Sequence, residues 1–197
     1  MSSSSPAPLS TEEMDVWSAL ATLLERLPAA LDAQLQRDSG LTHFEHGILY
    51  ALDAAPERTL RLSVLAGYAN STLSRLSRAV TRLEAKGWIR REVDAEDGRF
   101  TLGILTDAGH RKVEESTPAH QALIRRVVFD TLTPAQARQL GAASRKISAA
   151  LSPDPTWMPG TRARGGPART REHESPGERT RRGFSVRRRG DLNPWSP

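Results

Sequence analysis

Along this chain the apolar residues fall into stripes of helical period, separated by capping signatures and one β-rich stretch. Residues 1–9 are Ser- and Pro-rich and carry no stripe, so a disordered N-terminus is expected. Ser10-x-x-Glu13 is a capping box that opens a long helix reaching about Gln36, with Val16, Leu20, Leu23, Leu24, Leu27 and Leu31 as its apolar positions. Pro28 lies inside that stripe and is expected to kink or divide the helix; Gly40 ends it. A second capping box, Thr42-x-x-Glu45, precedes Phe44, Ile48, Leu49 and Leu52, which predict a short buried helix. Ala55 to Arg58 reads as a turn, and Leu60 to Ala69 as a helix with Leu62, Leu65 and Ala66 inward. Asn70 suits a left-handed turn and Thr72 an N-cap.

Asn70 to Gly109 is the stretch around which the rest is organised. Leu73, Leu76, Val80 and Leu83 recur at helical spacing and predict one buried face. The opposite face carries Ser74, Arg75, Ser77, Arg78 and Arg82. Lys86-Gly87 is a helix stop: a cation near the C-terminus, then a residue free to turn left-handed. Trp88 to Val93 and Phe100 to Leu105 are β-rich, and the charged segment 94–99 between them contains an Asp-Gly turn signal. A helix with a polar, basic face followed by an arginine-bearing hairpin is the layout of a winged helix-turn-helix DNA reader. Beyond it, Thr106 caps a helix predicted from Val113, Leu123, Ile124, Val127 and Val128, with Pro118 expected to bend or break it. Thr133-Pro134-x-Gln136 opens a last helix carrying Ala137, Leu140, Ile147 and Leu151, and Pro153 and Pro155 end the fold.

Charge sharpens this picture. The net +5 over 197 residues resides wholly in residues 152–197, which hold ten arginines against five carboxylates. The remainder balances at 18 cations and 18 anions. Within that neutral body, Asn70 to Arg91 holds six cations (Arg75, Arg78, Arg82, Lys86, Arg90, Arg91) against Glu84 alone. An isolated helix with such a face could simply be solvated; with the wing attached, the imbalance favours phosphate. The chain contains no cysteine, which excludes disulfides and thiolate metal sites. It has no apolar run of membrane length, and Met1 to Pro6 has no basic n-region or apolar h-region, so a cytoplasmic protein is expected. No phosphate-binding glycine loop, nucleophile elbow or paired metal-ligand motif is present, and an enzyme is not expected.

Three motifs carry a resemblance: Arg82-Leu83-Glu84-x-Lys86-Gly87-Trp88-Ile89-x-Arg91, then Asp97-x-Arg99, then Leu105-Thr106-x-x-Gly109. In order and spacing they resemble the MarR family of bacterial transcriptional regulators, over roughly Ser10 to Leu151. Asn70 stands where that family often has Gly, a mild departure because Asn tolerates the same backbone region. The resemblance implies a mainly α fold with a small β-hairpin wing. A winged helix-turn-helix lobe would occupy residues 41–106, with the recognition helix at about 72–86 and the wing at about 88–105. A helical dimerisation lobe would be built from 10–40 and 107–151, leaving 152–197 as a disordered Arg/Pro/Gly-rich tail. It further implies a nucleoid-associated homodimeric repressor on a pseudo-palindromic double-stranded operator, with recognition helices roughly 34 Å apart. The missing cysteine removes the family's peroxide-sensing branch.

Roles follow residue by residue. Ser74, Arg75, Ser77 and Arg78 would reach base edges, with Arg75 or Arg78 pairing with guanine. Thr72 would cap the helix and touch phosphate. Arg82 would meet phosphate, or else pair near Glu84 or with Asp97. Arg99 matches the wing arginine, and Asp97, itself repelled by DNA, would hold a neighbouring arginine. A small aromatic or phenolic effector is implied where the dimer helices meet the DNA lobe. Trp17, His43, Phe44, His46 and Tyr50 are the candidates to line its pocket, each more simply explained as core or surface. His43 and His46, with Glu45 and His110 elsewhere, permit a metal site on paper, so a metal-responsive regulator is one alternative; a winged-helix interaction module without DNA binding is another. No metal or cofactor is expected.

Overall fold

The computed structural model describes residues 7–151; the disorder expected of residues 1–6 and 152–197 lies outside the described residues. The order is α1 (Thr11–Ser39), α2 (His43–Asp53), β1 (Thr59–Arg61), α3 (Leu62–Tyr68), α4 (Leu73–Ala85), β2 (Ile89–Val93), β3 (Thr101–Leu105), α5 (Asp107–Ile124) and α6 (Pro134–Leu151). A one-turn π-helical segment, Arg125–Phe129, separates α5 from α6.

The capping boxes set the helix starts. Ser10 Oγ accepts from Glu13 N while Glu13 Oε2 accepts from Ser10 N, and Thr42 and Glu45 repeat the arrangement at α2. Gly40 closes α1 at φ 64°, donating to the carbonyls of Gln36 and Leu35. Pro28 does not divide α1, nor does Pro118 break α5. The carbonyls four residues before them belong to Leu24 and Glu114, which are exposed, so solvent can replace the missing donor. The interruption expected at Pro118 falls instead at 125–133, and Val127 and Val128 belong to it rather than to α5.

Two further expectations are corrected. Leu60 is not helical: Thr59, Leu60 and Arg61 pair antiparallel with Ile104, Gly103 and Leu102, and α3 begins at Leu62. The wing is therefore a three-stranded sheet, ordered β1-β3-β2, rather than a hairpin alone. Leu73, the first residue of α4, is 54% exposed, so the buried stripe begins one turn later than its period predicts. Leu76, Val80 and Leu83 are fully buried, with Ala79 beside them.

The core lies under α4. It joins Leu41, Ile48, Leu49 and Leu52 to Leu62, Leu65, Leu76, Val80, Leu83, Ile89, Leu105 and Val113. Gly109 brings α5 against the residue that precedes β2, closely enough that a Cβ there would sit 2.2 Å from the Trp88 carbonyl oxygen. Thr106 completes this junction: its backbone N–H donates to the Trp88 carbonyl, its hydroxyl donates to the Gly87 carbonyl, and its Oγ1 accepts from Gly109 N. The Leu-Thr-x-x-Gly motif is thus the joint between wing and C-terminal helix. By contrast, Thr11–Leu20 of α1 and the whole of α6 contain no buried residue.

Candidate nucleic-acid interface

Asn70 takes φ 42°, turning the chain between α3 and α4, and Thr72 Oγ1 accepts from Arg75 N to start the helix. With Leu76, Ala79, Val80 and Leu83 turned inward, Ser74, Arg75, Arg78 and Arg82 are necessarily exposed; Ser77 is half-buried at the edge.

The six cations of this stretch are held differently. Arg91 Nε donates to Glu84 Oε2 at 2.9 Å and its backbone N to Glu84 Oε1 at 3.1 Å, so the Glu of the R-L-E motif ties the helix end to β2. That bidentate grip keeps the Glu84 carboxyl below its ordinary pKa. Arg90 pairs with Glu92. Arg82 Nε donates to Glu45 Oε1 at 2.9 Å, so the partner is Glu45 rather than Asp97 or a group near Glu84. Burial pushes the Glu45 carboxyl up, but hydrogen bonds from Thr42 and Arg82 outweigh it and leave a stable anion. Arg75, Arg78 and Lys86 have no ion pair among the described residues. Arg75 lies 4.5 Å from the centroid of the Phe44 ring and Lys86 lies 4.7 Å from that of Trp88, each cation attracted to the negative face of its ring. Arg75, Arg78 and Arg82 line, with Asp32, Thr42 and Phe44, a cleft of about 310 Å³.

On the wing, Arg99 is exposed and Asp97 clasps it, Nε to Oδ1 at 2.9 Å and Nη2 to Oδ2 at 2.7 Å. This pairing holds the Asp97 carboxyl below its usual range. Arg61, which sequence reasoning passed over, secures the wing from β1. It donates to Asp94 at 2.7 and 2.8 Å and stacks 4.4 Å from the Phe100 centroid. Its signal was masked by assigning Leu60 onward to a helix. The pairing of Glu45 with Arg82, 37 residues apart, left no signal in the sequence.

The five candidate pocket residues do not form one site. Phe44 lines the cleft. His43 and His46 instead gather around His120, a residue the sequence pattern does not point to, and Tyr50 stacks on His46. His46 and His120 have ring centroids 4.8 Å apart, His43 and His120 5.4 Å, and His46 and Tyr50 6.2 Å. His120 Nδ1 lies 3.0 Å from Gln34 Oε1. Burial, then the neighbouring imidazoles, lower the pKa of His46 to about 4, and burial with His43 does the same for His120. Trp17 stands apart on α1, 52% exposed. His110 is elsewhere, 2.6 Å from Asp53, and Glu45 is committed to Thr42 and Arg82, so the metal set pictured from sequence is not assembled. Among the described residues no group of three or more His, Cys, Asp or Glu is placed to hold a metal, and no helix is long and apolar enough to cross a membrane.

The model of the MarR family matches residues 39–99, the span from the end of α1 to the wing arginine. No curated protein matches the chain. Among solved structures, the chain is 42% identical to Sco3205, a MarR family transcriptional regulator from Streptomyces coelicolor in complex with DNA. That match covers 79% of this chain and 97% of the other, at a TM-score of 0.74. AbsC, a MarR family regulator from the same organism, is 30% identical over 76% of this chain and 100% of its own, at a TM-score of 0.71. The S. aureus MepR–DNA complex shares the fold at 22% identity and a TM-score of 0.62, covering 70% of this chain and 98% of its own.

Proposed function

The chain belongs to the MarR family of DNA-binding transcriptional regulators, and from that membership we propose that it represses as a homodimer on a pseudo-palindromic operator. The observation that carries the reading is the division of α4: four apolar residues buried to 1% exposure or less, and a Ser/Arg face left to solvent. Thr72, Ser74, Arg75, Ser77 and Arg78 meet the major groove and its flanking phosphates, and Arg99 enters the adjacent minor groove, aimed by Asp97.

Dimerisation is supported by the arms. Val16, Trp17 and Leu24 on α1 and Ile147 and Leu151 on α6 are exposed apolar residues that a single chain leaves uncovered. Two copies interlocking these arms bury them and set the spacing of the two α4 helices. Release by a small aromatic or phenolic effector is supported by the cleft beside Phe44, where an occupant would contact three arginines of α4. A ligand that prefers the DNA-free arrangement shifts the population by its differential affinity.

The test is selection of a duplex by the full chain from a random-sequence pool, followed by affinity measurements over a salt series. A palindromic selected site, and an affinity that falls steeply with log salt, are the expected results. No selected sequence, or an affinity indifferent to salt, would overturn the proposal. A ligand screen for release from the selected duplex tests the effector.

A further inference from the structure

Two of the three arginines on the outward side of α4 are held from outside both α4 and the wing, apart from a 3.5 Å bond from Arg82 Nη1 to the Arg78 carbonyl. Their partners are consecutive residues in the first turn of α2: Phe44 beneath Arg75 at 4.5 Å, and Glu45 on Arg82 at 2.9 Å. Arg78, between them, has no ion pair or ring contact among the described residues.

We propose that this turn of α2 positions the DNA-reading arginines, with Phe44 aiming Arg75 at the duplex and Glu45 withholding Arg82 from phosphate. The proposal rests on the reading of α4 as the groove-facing helix.

Neither partner is free to move. Glu45 is 5% exposed, and its second oxygen accepts from Thr42 N at 3.1 Å while Thr42 Oγ1 accepts from Glu45 N at 3.0 Å. The same turn is tied to α1 through His43 N, which donates to Asp32 Oδ1 at 2.8 Å. Phe44 is half-buried and packs against the edge of the core. An arginine on a flexible stem gives up side-chain freedom when it binds; one already stacked on a fixed ring gives up less. Phe44 thus strengthens a base contact without touching a base. Glu45 acts in the opposite sense. Arg82 donates to Glu45 through Nε, so its charge is already compensated and a phosphate gains less from it; swinging away altogether would leave a nearly buried carboxylate unpaired, which is strongly unfavourable. Non-specific attraction is therefore trimmed while a directed contact is kept, and the ratio of the two is specificity.

The full chain is assayed on the duplex it selects from a random pool and on a scrambled duplex of equal length, over a salt series. Phe44→Leu should weaken binding to the selected duplex by about fivefold, the equivalent of one exposed cation–π contact, and leave the scrambled duplex unchanged. Phe44→Tyr should restore wild-type binding. Glu45→Gln keeps the capping box, since glutamine serves at that position. It should tighten binding to the scrambled duplex and steepen the log–log salt slope by about 0.9, one more phosphate contact. Adding Arg82→Ala to Glu45→Gln should abolish that gain. Equal weakening of both duplexes by Phe44→Leu, or a wild-type salt slope for Glu45→Gln, would overturn the proposal. If Arg75→Ala weakens selective binding but Phe44→Leu does not, the positioning role fails and the DNA reading stands. If Arg75→Ala and Arg78→Ala both bind as wild type, the reading of α4 itself fails.

Discussion

Arg78 and Arg99 are both exposed, but Arg78 has no counter-ion among the described residues and Arg99 is clasped by Asp97. Their substitutions should therefore differ. Arg78→Ala should reduce discrimination between selected and scrambled duplexes by about 1–3 kcal/mol, the worth of one good base contact. An unchanged ratio would remove Arg78 from base reading. Arg99→Ala should weaken operator binding at fixed salt in a mobility-shift assay, and wild-type affinity would exclude the wing. The histidine cluster makes a prediction of another kind. His46 and His120 have folded pKa values near 4, below the ordinary 6.5. Their neutral forms therefore contribute stability that is complete above pH 6.5 and is lost as pH falls towards 4. Thermal melts should show Tm falling through that window, and His120→Gln should flatten the fall by removing one buried imidazole and its repulsion. A Tm independent of pH between 6.5 and 4.5 would contradict this account.

At the scale of elements, the stop and start signals were legible because each is local. Ser10-x-x-Glu13, Thr42-x-x-Glu45, Thr72, Gly87 and Thr106 all act on backbone within a few residues, and all act as expected. β1 was not legible. Three residues carry no period, and Thr59 to Arg61 become a strand only because β3 offers an edge. Period alone predicts a buried Leu73 that the fold leaves exposed, because helical period gives direction around an axis but not how far a neighbour extends along it. The Leu-Thr-x-x-Gly joint leads to a stability prediction. Gly109→Ala forces a Cβ into the Trp88 carbonyl and should cost about 1–3 kcal/mol. Thr72→Ala, which loses only a cap, should cost about 1 kcal/mol. Denaturant unfolding of the two variants should rank them in that order.

For the whole molecule, the DNA-facing lobe carries its own core while the arms α1 and α6 leave apolar residues exposed. Trp17→Lys combined with Ile147→Lys should yield a monomer by sedimentation and lower operator affinity by an order of magnitude or more, since two half-sites would then bind independently. A dimer that survives both changes would move the interface off these arms.

The sequence by itself determined the helices and their caps, the polar and basic side of α4, the wing motif and the family, because these rest on spacing and local backbone chemistry. Only the tertiary structure decided which arginines are available. Arg82 is neutralised by a carboxylate 37 residues away, Arg75 is seated on an aromatic ring of another helix, and His120 joins two histidines more than seventy residues upstream. Such pairings depend on how helices cross, and the pattern within one helix holds no record of its neighbour.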